Sequence, residues 1–193
     1  MKNNAGLAAV VAGLFIVAVY GAHRLDVLTR NRQEAQALER IGRWPYLSSL
    51  AARQMIEKYG PPQGILADRV VWDFQRPWKR ISVFNTDASP LEEVVDYDGP
   101  AYKFEKPLLF PYGSRVYAFD RELAARSNGE ELNRLCLNLA DDIARGHRTA
   151  EDARRFYLKT IELAVSGKSS PYMERLRFEV PPEQTAPYPM AHY

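Results

Sequence analysis

The amino-acid sequence predicts an α+β domain carried behind a transmembrane helix, and three observations say so. Residues 5–22 run AGLAAVVAGLFIVAVYGA without a single charge. Apolar residues recur at three- and four-residue steps on both flanks of the body, the spacing of helices with one buried face. Between those flanks lie short runs rich in Val, Ile, Phe and Trp, broken by Pro, Gly and Asp, which is the pattern of strands and their turns. The expected architecture is a mostly antiparallel sheet packed by one preceding helix and a C-terminal helical hairpin.

The opening segment is the first element. Eighteen helical residues span about 27 Å, close to the roughly 30 Å of a hydrocarbon layer. Tyr20 sits where an amphipathic ring meets headgroups. A cleavable signal has a shorter apolar core of about 7–15 residues. Val19-Tyr20-Gly21 offers a cleavage site, but the length fits a retained anchor or uncleaved signal over residues 1–22. No Cys follows the run to accept a lipid. An apolar segment at the extreme N-terminus is an export device, so the body is expected on the extracytoplasmic, periplasmic side of a single-pass anchor. Arg24, Arg30 and Arg32 outnumber Lys2 and count the other way. Ala5, Ala9 and Gly13 share one helical face, which would let a second membrane helix approach closely.

Residues 23–45 form a polar helical stalk rich in Arg, Glu and Gln. Residues 46–170 are the α+β domain. Pro45 suits the first turn of a helix whose stripe is Leu47, Leu50, Ala51, Met55, Ile56 and Tyr59. Gly60 ends it, and Pro61-Pro62 forbid continuation. ILADRVVWDF and WKRISVFN are strands about a Gln75-Arg76-Pro77 turn, LEEVVDYD is a third, and SRVYAFDRELAAR is two more about Asp120-Arg121. Four or five strands follow. Ser127-Asn128-Gly129-Glu130 has the form of a capping box before a helix striped by Leu132, Leu135, Cys136, Leu139 and Ile143. Thr149 caps the next helix, and the short connection between the two implies an antiparallel hairpin. Residues 171–193 read as an extended Pro/Tyr-rich tail.

Composition limits the chemistry. Among 193 residues, 46% are apolar and 26% charged, enough for one core. A net charge of +2 is too small for a nucleic-acid footprint. Cys136 is the single cysteine, so no internal disulfide or thiolate cluster can form. Of three histidines only His147 lies in the body, where it suits a helix C-terminus. No G-x-S-x-G, G-x-x-x-x-G-K or G-x-G-x-x-G run is present. Neither catalytic residues, a metal site nor a cofactor is expected. Asp141-Asp142 reads as a solvated helix edge, Glu92-Glu93 and Asp96-Tyr97-Asp98 are weighed as a cation seat, and Asp96, Tyr97 and Asp98 as a carboxylate-based active site.

Trp72 and Trp78, with Lys79 and Arg80, flank the first hairpin. They form either an exposed aromatic and cationic platform, the chemistry enriched in protein-binding hot spots, or a core in which both rings lie under the first helix. Tyr188 and Tyr193 in the tail could dock on a partner as well.

QMIEKYGPP, the later Trp with PWKR, and LNLADDIARGHRTAEDARRFY together resemble a family of uncharacterised bacterial proteins with exported or anchored N-termini, over residues 35–160. The resemblance implies no activity. That family's pattern holds histidines where this chain reads NTDASPLEE and has none. Gly60, Pro62 and Trp72 also resemble the helix–break–strand start of small outer-membrane-assembly lipoprotein modules, which implies protein binding. The combined expectation is a non-enzymatic, membrane-anchored interaction or accessory subunit of an envelope complex, in contact with lipid and a protein partner. An exported small-ligand binder is the alternative.

Overall fold

A computed structural model describes residues 24–100, 104 and 106–182. The apolar run with Ala5, Ala9 and Gly13, and the tail tyrosines Tyr188 and Tyr193, lie outside them. Among the described residues no helix is long and apolar enough to cross a membrane.

The first described helix, α1, covers residues 24–41. Gln, Glu, Ala, Leu and Arg dominate it, all strong helix formers. Residues 24–32 are exposed on every side, as a stalk should be, whereas Ala37 and Ile41 are fully buried and Trp44 nearly so. The stalk's second half is therefore part of the core. A tight turn, with Trp44 N–H donating to Ile41 C=O at 3.1 Å, leads into α2, Tyr46–Tyr59. The buried stripe of α2 is Ser48, Ala51, Ala52, Met55 and Ile56. Leu47 and Leu50, expected on that stripe, stay partly exposed. Ser48 accepts from the Thr86 N–H at 3.0 Å and donates back to its carbonyl, pinning the start of α2 to the sheet. Gly60, at φ 81°, releases the chain from α2.

Among the described residues seven strands follow, where four or five were expected: β1 Gly64–Ile65, β2 Arg69–Gln75, β3 Trp78–Phe84, β4 Leu91–Asp96, β5 Leu108–Leu109, β6 Arg115–Phe119 and β7 Glu122–Ser127. The extra two, β1 and β5, are two-residue edge strands that close the sheet's borders. All pairs are antiparallel, in the order β1-β2-β3-β4-β7-β6-β5.

Alternation along the strands sends one set of side chains to the helices. Trp72 opposes Ile81, Ile81 opposes Glu93, and Glu93 opposes Ala125, and all four are fully buried. Val70, Val83, Leu91, Val95 and Leu123 share that face. The other face carries Asp73, Arg80, Glu92, Tyr117, Glu122 and Arg126.

Helices α2 and α3, Glu130–Ala144, lie on the sheet. Helix α4, Ala150–Val165, packs on α3 and on the Pro111–Gly113 turn instead, so only half of the expected hairpin covers strands. Tyr157 of α4 stacks on Phe110 and hydrogen-bonds Ser114 at 2.9 Å. The expected tail begins too early. Pro171–Glu174 forms a short α5, and Met173, Leu176, Phe178 and Val180 join the core. Asn138 of α3 donates to the Tyr172 and Arg175 carbonyls at 2.9 and 2.8 Å and accepts from Arg177 N–H.

Candidate functional site

Trp72 and Trp78 do not form an exposed platform. Both rings are buried, and their indole N–H groups are spent internally. Trp72 donates to the Gly60 carbonyl at 2.8 Å, and Trp78 donates to Glu130 Oε1 at 3.1 Å and to the Tyr59 hydroxyl at 3.2 Å. Trp72 is buried by the alternation it shares with Val70, and for Trp78 the cause lies in the hairpin. Phe74 takes φ 55°, and the alternation of side chains changes there. Trp78 turns under α2, while Lys79 and Arg80 both reach Glu122, at 2.7 and 4.0 Å. Lys79 also donates to Asp96 at 2.9 Å. These two cations lie on the sheet's other face, apart from the rings.

The densest polar grouping sits where α2, β3, β4 and α3 meet. Glu130, the first residue of α3, accepts from Trp78, Tyr59, Arg134 and, at 2.6 Å, Lys58. It is not the capping-box partner the sequence suggested: Gly129 is the N-cap, and Ser127 closes a local loop with Gly129. Burial pushes the Glu130 carboxyl up, but the Lys58 hydrogen bond and the Arg134 charge outweigh it and hold it below the usual range.

Beside it lies Glu93, fully buried at the centre of the sheet. Asn133 donates Nδ2 to Glu93 Oε2 at 3.0 Å and to the Leu91 carbonyl at 3.2 Å. Glu93 Oε1 and Asn133 Oδ1 have no partner among the described residues. Burial, and then the neighbouring Glu130 charge, raise the Glu93 carboxyl to about 8, against the opposing pull of Asn133, Arg134 and Lys58. Tyr59 is raised too, by burial and then by Glu130. A signal for Glu93 existed in the sequence: it shares the i, i+2 face of Leu91 and Val95.

The other carboxylate groupings come apart. Glu92 points to the opposite face, where it accepts from Tyr117. Asp96 pairs with Lys79, Asp98 pairs with Arg121, and Tyr97 turns inward to donate to Asp141 at 2.7 Å. Asp96, Tyr97 and Asp98 therefore share no cleft. Among the described residues no three His, Cys, Asp or Glu side chains are placed to hold a metal. A hollow of about 770 Å³ is a surface cleft between the end of α3 and residues 177–182, lined by Asp142, Arg145, His147, Tyr172 and Arg177. It is polar and open, unlike the deep apolar pocket a small-ligand binder calls for.

One end of the sheet gathers a different set. Gln75 opposes Trp78, Asp96 opposes Glu122, and Glu122 opposes Phe119, so the Phe74 hairpin and the Asp120 turn project from the same end. Phe74 is 57% and Phe119 71% exposed. Helix α1 points its N-terminus the same way. Its last turn lines a hollow with Ile65, Ala67 and Asn85 at the far end of β3, and a Cβ placed on Gly60 would lie 3.2 Å from Arg30 Nη2.

No family model, curated protein or solved structure matches this chain.

Proposed function

We propose that the protein is a membrane-tethered interaction or accessory subunit of a bacterial envelope complex. The observation that carries this reading is the union of α1 with the core. The uncharged run ends at Ala22, two residues before the described helix begins, and that helix buries Ala37 and Ile41 in the domain. A flexible linker would leave the domain free to wander. Here the segment next to lipid and the folded body are one rigid piece, which serves a subunit that presents a surface at a set height above a membrane.

The internal use of polar groups supports binding over catalysis. Glu130, Tyr59, Trp78, Lys58 and Arg134 saturate one another. Gly60 and Trp72, which carry the likeness to the α–β–β modules, are joined by a hydrogen bond that locks helix to strand. The body is assigned to the extracytoplasmic side.

The test is mild-detergent extraction of the full chain from its native membrane after chemical cross-linking. The reading expects a discrete larger species with a second polypeptide. A monomer at every cross-linker loading overturns it.

A further inference from the structure

Phe74 and Phe119 are two costly features at one end of the molecule. A bulky residue with φ near +55° is a backbone outlier, and such outliers persist where something else depends on them. Its ring is nevertheless left in solvent, as is that of Phe119, next to Asp120 at φ 52°. Four strand spacings separate β2 from β6, so the two rings stand about 19 Å apart at either side of the same sheet end.

That end lies on the side toward which the N-terminus of α1 points. Helix α1 runs from the Asn85 end of the sheet back past Gly60, and residues 24–32 project beyond its packed part by about 13 Å. Six steps of α1 lead from Arg30, beside Gly60, back to Arg24, about 9 Å at helical rise, and the uncharged run ends two positions before Arg24 in the sequence. The β2–β3 hairpin extends past the level of Gly60 toward the same side, because Trp72 bonds Gly60 and β2 continues for three residues, to Gln75, before the turn. A headgroup layer is roughly 5–7 Å deep on each side of the hydrocarbon. The tips reach it.

We infer that Phe74 and Phe119 rest in the lipid headgroup layer, so that the domain lies against the membrane on its hairpin tips as well as hanging from its anchor. This deepens the tethering proposed above and rests on it. The recognition rests on aromatic rings. Lys79, Arg80 and Arg121 at this end are already paired with Asp96, Asp98 and Glu122. Exposed Leu25 and Leu28 on the projecting part of α1 add apolar contact at the same level. Aromatic rings favour this layer because an apolar body and a polarisable face suit its mixed environment.

The experiment uses the full chain in phosphatidylcholine vesicles carrying a headgroup-attached nitroxide lipid. A fluorophore is placed through Phe74→Cys, Phe119→Cys or, as a reference, Leu109→Cys. Leu109 is similarly exposed but lies beside Arg115, at the other end of the sheet. The native Cys136 is buried, with its thiol raised by that burial, and does not compete for label. At least twofold stronger quenching at 74 and 119 than at 109 is expected. Phe119→Cys stands as an independent variant should Phe74→Cys disturb its hairpin. If the chain floats with the vesicles and all three sites quench alike, the tips meet protein or water and the lipid contact is wrong while tethering survives. If the chain does not float, the tether itself is wrong.

Discussion

Asn133 donates to Glu93 at 3.0 Å in the middle of the core, and one oxygen of each side chain is left over. Both leftovers are acceptors, so a carboxylate at Glu93 leaves two buried groups without a donor, a costly arrangement. A proton on Glu93 supplies the missing donor and converts the pair into a carboxylic acid facing an amide.

The pH dependence follows with a definite sign. The folded carboxyl is raised to about 8 from an ordinary value of 4.5. Between those values the folded state holds a proton that the unfolded state has lost, so stability is fully present below pH 4.5 and drains away as pH climbs through 8. Glu93→Gln keeps the shape and supplies a permanent donor. It is expected to flatten this slope and to exceed the parent at pH 8 by about 1 kcal/mol or more. Urea unfolding of both chains from pH 5 to 9 checks it, and parallel slopes refute it.

Glu130 is bonded by four neighbours from α2, β3 and its own helix. Glu130→Gln retains an acceptor but loses the charge that Lys58 and Arg134 share, with an expected loss of about 1–3 kcal/mol. Removing that negative charge also lowers the Glu93 carboxyl, because Glu130 is the second cause of its rise. The midpoint of the pH–stability curve should therefore move down in this variant. An unmoved midpoint would show that the two carboxylates do not sense each other.

Ile41 lies fully buried in the last turn of α1. Ile41→Ala should destabilise the domain by about 2–4 kcal/mol, the range for emptying a packed site. Arg24→Ala on the projecting part should change stability by less than about 0.5 kcal/mol. Thermal melts of the two variants decide it. A linker-like α1 would make both silent.

Helices α2, α3 and α4 were legible because their apolar stripes repeat every three or four residues and because Gly60 and Thr149 mark ends by simple chemistry, whereas α5 is too short to carry a stripe. Thr149 accepts from Asp152 N–H at 3.1 Å, as its position implied. The edge strands β1 and β5 were not legible, since two residues carry no alternation. The packed half of α1 hid behind its charge: Ala37 and Ile41, four residues apart, are its only two fully buried side chains. Glu130 misled because Ser-x-x-Glu resembles a cap, whereas Trp78, Tyr59 and Lys58 converge on it only in the folded chain. Trp72 followed from the alternation it shares with Val70, whereas Trp78 lies beside the Phe74 hairpin, where an outlier in backbone angle leaves no trace in residue order.

Alkaline washing of native membranes, followed by the intact mass of the full chain in pellet and supernatant, bears most directly on the tether. The full-length mass should stay with the lipid pellet. Its recovery in the supernatant, whole or shortened at the N-terminus, would contradict a domain that α1 fastens to a bilayer.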